Sequence, residues 1–219
     1  MFVGHSSLAF AAKARVPRAP LAALLAATFG LDLLWPVFVL AGIERVRIEP
    51  GNTAFTPLAF DSYPWSHSLV MAAVWGGLAG GLWYAVRRDR AVAWIIGALV
   101  VSHWVLDWAS HRPDMPLWPG ASSPLLGLGL WNSIPATLIV EGLMFAIGLG
   151  MYFRTTRARD WVGSWVFGAL LLFLTYAWVS GPFSPPPPSA TAIAVVGIVF
   201  GLLMIPWTAW IDRHRPARG

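Results

Sequence analysis

The chain has 219 residues, 57% of them hydrophobic and only 11% charged, with a mean hydropathy of +0.64. A soluble domain carries about a quarter charged residues, so an ordinary water-soluble globule is excluded. The absence of cysteine removes disulfides, thiolate nucleophiles and cysteine zinc sites, and the net charge of +5 sits in arginines at the ends of apolar runs, a membrane-topology pattern and not a nucleic-acid patch.

Runs of about 20 apolar residues, the length that crosses a bilayer core, define the elements. Residues 1–19 predict a short amphipathic or re-entrant helix from Gly4-His5-Ser6-Ser7 to about Lys13, broken by Pro17 and Pro20. Lys13, Arg15 and Arg18 follow the first apolar stretch instead of preceding it, which argues against a signal peptide. The first span is predicted at 21–41, with Asp32 near its middle and Pro36 after it. Residues 43–65 read as a loop containing Glu44, Arg45, Arg47, Glu49 and Asp61. A second span is predicted at 66–86, opening on Ser66-His67-Ser68, and a third at 91–110 after the tight turn Arg87-Arg88-Asp89-Arg90.

A proline-rich loop then leads to a fourth span at 130–153, which contains Asn132, Pro135 and Glu141. A fifth is predicted at 161–180 and a sixth at 190–211, separated by Pro185-Pro186-Pro187-Pro188, an extended rod because each ring fixes φ. The fold class that follows is all-α: a polytopic membrane bundle of about six transmembrane helices plus the short N-terminal helix. It forms a single domain over 1–219, with the N-terminal helix at 1–19, a polar-residue half at 20–119 and three further spans at 130–211. No internal repeat is visible, which argues against a repeat-built transporter. Twelve of the fifteen Lys and Arg residues fall in the N-terminal segment, at 87–90, at 154–160 and in the tail after 212; only Arg45, Arg47 and Arg112 fall in the alternate loops. Positive residues stay inside, so both termini are expected in the cytoplasm.

His103 and Asp107 lie one helical turn apart at the end of the third apolar run. Ionisable residues within a span pair, bind or move something, although this pair also fits a hydrogen bond that only helps packing. Asp32, in mid-span, needs a partner whatever its role. His67 fits either a buried site or a helix start with Ser66 as N-cap, and His5 alone reads as a surface histidine. Glu141 reads either as functional or as a structural carboxylate bonded to Asn132, Ser133 or a Trp N–H. His111-Arg112-Pro113-Asp114 reads as a polar helix end or as an anion-holding group. The fourteen tryptophans are expected as interfacial anchors, and the pairs Gly76-Gly77 and Gly80-Gly81 as close helix contacts.

Gly4-His5, Gly30-Leu31-Asp32-Leu33-Leu34-Trp35-Pro36, Ser66-His67-Ser68, Ser102-His103 through Asp107 to Ser110, and Leu117-Trp118-Pro119 occur in that order. In this the chain resembles the bacterial membrane-bound metal-dependent hydrolases of the LexA-binding inner-membrane type. More distantly it is similar to zinc-dependent phospholipases C. Three polar positions of the family pattern are replaced here, by Leu34, Trp35 and Ser62. The resemblance implies His5, Asp32, His67, His103 and Asp107 as metal ligands. The donors suit zinc, or manganese or iron in a more open site.

On this reading the protein is a metal-dependent hydrolase of the bacterial inner membrane. It would act through a metal-activated water on a lipid or lipid-linked phosphoester or ester, with Glu141 or Asp61 as general base and His111 with Arg112 binding the anionic group. Its partners are the lipid bilayer and an amphiphilic substrate, with no nucleic acid. The competing readings are a non-enzymatic transporter or metal- or proton-handling protein built on the same His/Asp residues, and a degenerate metal-binding structural protein.

Overall fold

A computed structural model describes residues 1–218. Its helices are α1 (Val3–Arg15), α2 (Leu21–Thr28), α3 (Gly30–Leu40), α4 (Pro64–His67), α5 (Leu69–Arg87), α6 (Arg90–Ser110), α7 (Ile134–Thr155), α8 (Trp161–Ser180) and α9 (Ala190–His214). Two small antiparallel hairpins lie in the connections, β1 (Arg45–Ile48) with β2 (Leu58–Ser62), and β3 (Met115–Pro116) with β4 (Leu125–Leu126). In the first, Val46 faces Phe60 and Ile48 faces Leu58, with an irregularity between Arg45 and Val46.

The long helices begin where the sequence offers a side-chain acceptor. Ser68, Asp89, Ser133, Asp160 and Ser189 each accept a bond from the backbone N–H three residues on, satisfying a donor that the first turn leaves free. Five of these helices, α5 to α9, are long and apolar enough to cross a membrane, and the bent pair α2 with α3 brings the number to six when counted as one span. Leu82, Trp94, Trp165, Leu172 and Leu202 all project outward and exposed. Apolar surface on that scale is stable only against another apolar phase, so the outer face of the bundle belongs in lipid.

The N-terminal helix sits in the middle. α1 packs on α7, α2, α6 and α8, and His5, Ser6, Ser7 and Lys13 are buried along with its apolar residues. It is therefore buried on all sides and not a surface amphipathic helix. Gly148 of α7 permits the close approach, since a Cβ there would overlap the Ser7 backbone. α5 and α6 form a hairpin drawn together in the same way, where a Cβ on Gly76 or Gly80 would strike the α6 backbone.

Several elements differ from the pattern read along the chain. The first span breaks at Phe29, and α2 and α3 are bent by 55°. Pro36 lies inside α3, within the span and after Asp32. The second span starts later, because Ser68 takes an extended conformation to cap α5 and leaves His67 on the separate turn α4. The fourth begins at Ile134, after a 3₁₀ turn over Leu130–Asn132, and the sixth continues to His214. Residues 43–65 carry a hairpin instead of being wholly irregular.

One end of the bundle gathers the basic segments. Arg18 is paired with Asp89, Lys13 Nζ reaches Asp212 Oδ1 at 3.2 Å, and Thr156 bridges Ala217. The hairpins and His111 lie towards the opposite end, where the Phe55 ring stacks on Trp131 and Trp131 lies against His111.

Candidate metal centre

Four separate chain segments deliver the polar cluster. α6 presents His103 and Asp107 on one face; α4 presents His67; α3 places Asp32 in its first turn; α1 brings in His5. His5, His67, His103 and Asp107 are buried, whereas the Asp32 side chain is 43% exposed. Asp32 is thus the open side of an otherwise enclosed site.

Asp107 is central. Its Oδ2 lies 3.0 Å from His103 Nε2 and 3.8 Å from His67 Nε2. Asp32 Oδ1 lies 3.5 Å from His67 Nε2 and 3.6 Å from His103 Nε2. On the other side of the carboxylate, Asp107 Oδ1 is 3.2 Å from His5 Nε2 and also receives the Met1 amino group. The His5 and His103 rings are stacked at 3.8 Å. His103 therefore belongs to two overlapping sets of possible ligands, one with Asp32 and His67 and one with His5 and Asp107.

Hydrogen bonding on the far side of each ring sets where its lone pair points. His103 Nδ1 lies 2.6 Å from the Thr28 carbonyl, which only accepts. Nδ1 therefore carries a proton, and in the neutral ring Nε2 presents its lone pair to the cluster. The carbonyl is exposed to His103 because the span breaks just beyond Thr28, so the bend between α2 and α3 serves the site. For His67, Nδ1 is 2.7 Å from Ser66 Oγ, and Ser66 Oγ donates to Glu44 Oε2 at 2.6 Å. The hydroxyl has one proton and gives it to the carboxylate, so His67 Nδ1 is the donor to Ser66 and His67 Nε2 is also bare.

With both rings neutral, Asp32 Oδ1, Asp107 Oδ2, His67 Nε2 and His103 Nε2 are all acceptors, and each carboxylate oxygen lies 3.0–3.8 Å from both ring nitrogens. His103 Nε2 is buried without a hydrogen bond. Buried acceptors in mutual contact are costly unless something positive lies among them. For ligands at about 2.0–2.2 Å from a tetrahedral zinc, neighbouring donor atoms are about 3.3–3.6 Å apart. The four measured separations straddle that range. The residues present fit a divalent cation in donor type, tautomer and spacing.

The remaining expected residues lie elsewhere. Asp61 is on β2 with Arg47 bonded to both its oxygens, at 2.6 and 2.9 Å, and it does not join the cluster. That pairing also holds its carboxyl below the ordinary range. His111 is buried, with Nδ1 3.0 Å from Asp114 Oδ1, while Tyr63 donates to the same oxygen at 2.7 Å. Burial and the Asp114 charge push the Tyr63 hydroxyl well above its usual pKa. Arg112 lies 3.5 Å from Asp114 Oδ2 and is partly exposed. Glu141 is fully buried, but its partners are not Asn132, Ser133 or a Trp N–H. Its Oε2 accepts from the backbone N–H groups of Phe2 and Gly4, at 2.8 and 3.1 Å, and Oε1 is free. It anchors the helix start that carries His5. Nor is Ser66 the cap of the second span; its hydroxyl serves Glu44 and His67.

Reading along the chain missed Glu44, Ser66 and the Thr28 carbonyl. Glu44 stood among several charged residues in one loop, and only its burial at 1% exposure sets it apart. A backbone carbonyl has no sequence signal at all.

A family model described as YdjM inner membrane protein matches residues 64–182. The chain belongs to the YdjM inner membrane protein family. With its apolar helices, this makes it a multi-pass inner-membrane protein. The matched segment carries His67, His103, Asp107, His111 and Glu141, while His5, Asp32 and Glu44 precede it. No curated protein and no solved structure matches the chain.

Proposed function

We propose that this YdjM-family protein is a membrane-embedded metal-dependent hydrolase acting on a lipid or lipid-linked phosphoester or ester, with its termini in the cytoplasm. The observation that carries the reading is the meeting of four acceptor atoms from α3, α4 and α6, two of them on rings already turned to the ligand tautomer. Asp32, His67, His103 and Asp107 would hold the cation, zinc by preference, with His5 fixing Asp107 from its other oxygen. When bound, such an ion supplies Lewis-acid polarisation of a phosphoryl or carbonyl oxygen and acidifies water.

The chain's own residues do the rest. Asp32, half open, is the side from which a substrate reaches the centre. The buried rings of His5, His67 and His103 hold back bulk water, which strengthens the local electrostatics. Of the two carboxylates expected as base, Asp61 is occupied by Arg47, whereas Glu141 keeps one buried oxygen free; Glu141 is our choice. Arg112, partly exposed beside Asp114, is the cation available to an anionic headgroup near that end of the bundle.

The test is metal content by mass spectrometry on purified protein, together with turnover of phosphodiester and ester lipid substrates before and after chelation. About one zinc per chain is expected, with turnover lost on chelation and in His103→Ala. A folded protein that takes up no metal, or turnover indifferent to chelator, would sink the proposal. Metal uptake without turnover on any substrate would favour a carrier.

A further inference from the structure

We propose that Glu44 is a positioning residue that dictates which nitrogen of His67 carries the proton, acting through Ser66. The inference rests on the metal reading above. It also concerns a residue that the family match, which starts at residue 64, does not cover.

Glu44 follows the end of α3, yet it is 1% exposed and has no Lys or Arg partner in an ion pair among the described residues. Its charge is held by hydrogen bonds instead. Oε1 accepts from the Trp65 and Ser66 backbone N–H groups, at 2.8 Å each, and Oε2 accepts the Ser66 hydroxyl at 2.6 Å. Every group facing this carboxylate is a donor. The direction of the relay is therefore fixed: His67 Nδ1–H to Ser66 Oγ, and Ser66 O–H to Glu44. Neutral imidazole has one N–H, so Nε2 is left bare toward Asp32, His103 and Asp107. Outer partners of this kind hold a ligand ring in place and raise its basicity.

Glu44→Gln inverts the relay with little change in shape. The Gln carbonyl oxygen is claimed by the two backbone N–H groups, so its NH₂ turns to Ser66 and donates to Oγ. The Ser66 hydroxyl then donates to His67 Nδ1, and the His67 proton moves to Nε2, where it blocks the lone pair. The number of protons on the ring is unchanged; only their place differs.

The experiment is ¹⁵N NMR of metal-free, histidine-labelled protein in lipid nanodiscs at alkaline pH, with His67 assigned by its loss in His67→Gln. Zinc affinity is measured alongside by competition with a chromogenic chelator. Wild type should show His67 as the Nδ1–H tautomer and Glu44→Gln as Nε2–H, with zinc binding weakened by about 10–100-fold. A role confined to folding would leave the tautomer alone. An unchanged tautomer in Glu44→Gln, or a mixed one in wild type, overturns the relay. If wild type binds no zinc, the metal reading falls while the tautomer comparison still decides the relay. Should Glu44→Gln fail to fold, Ser66→Ala replaces it: loss of the pure Nδ1–H state supports the relay, and its persistence overturns it.

Discussion

Two buried histidine–carboxylate clusters lie at the same end of α6, and they are built on opposite principles. Around His111, donors and acceptors balance: Tyr63 donates to Asp114, and the ring nitrogen beside it is within reach of both. Around His103 and Asp107, acceptors outnumber donors, and an outside partner on each of two rings keeps it that way. The first cluster is complete as protein and ties α6 to the connection after β2. On the proposed reading, the second is organised for a positive charge. Burial and residue type do not distinguish them; only the direction of each hydrogen bond does.

The largest effect that would break this contrast is on metal binding. His103→Ala and Asp107→Asn should each weaken zinc binding by about 100-fold or more, exceeding what outer partners contribute, in a chelator-competition titration. His111→Gln should leave it within about twofold. Equal losses in both clusters would erase the distinction.

Next is metal removal. A ligand at about 100 times its dissociation constant stabilises the folded state by about 2.7 kcal/mol, equivalent to roughly 5–10 °C in a chain of this size. Chelation should lower the melting temperature of wild type by that amount, followed by tryptophan fluorescence, and should not move His103→Ala. Tyr63→Phe comes third. It removes the donor to Asp114 and should cost about 1–3 kcal/mol, seen as a lower melting temperature with zinc affinity unchanged.

The smallest effect lies at the other end of the bundle and serves as a control. The Arg18 guanidinium pairs with Asp89 through two nitrogens and holds its carboxyl at about 2, below the ordinary 3.8. A depressed carboxyl contributes stability above its unfolded value and loses it as pH falls through the folded one. Arg18→Ala should therefore melt slightly lower than wild type at neutral pH, and the gap should close between about pH 4 and pH 2. Zinc affinity should not respond.

How legible the site was depended on the kind of signal each residue left. His103 and Asp107 stood out because a helix repeats every 3.6 residues and ionisable groups are rare in apolar runs. Asp32 and His67 stood out by position and by resemblance. His5 stood out by resemblance alone, since a histidine in a short N-terminal stretch looks solvated until α1 is seen threaded between α7, α2 and α6. Asp61 looked as suitable a base as Glu141 until its pairing with Arg47 was visible. Glu44 was one charge among several in a connection.

What the amino-acid order determined by itself is the membrane character, the number of long apolar spans and the clustering of arginine in alternate connections. All of these depend on local composition and on the length of hydrocarbon to be crossed. What only the tertiary structure decided is the break at Phe29, the burial of α1, and which acceptor meets which ring. Those depend on contacts between residues far apart in the chain, and on backbone groups that every residue carries alike. A histidine becomes a ligand or a tie according to what stands behind it, and that neighbour is brought there by packing.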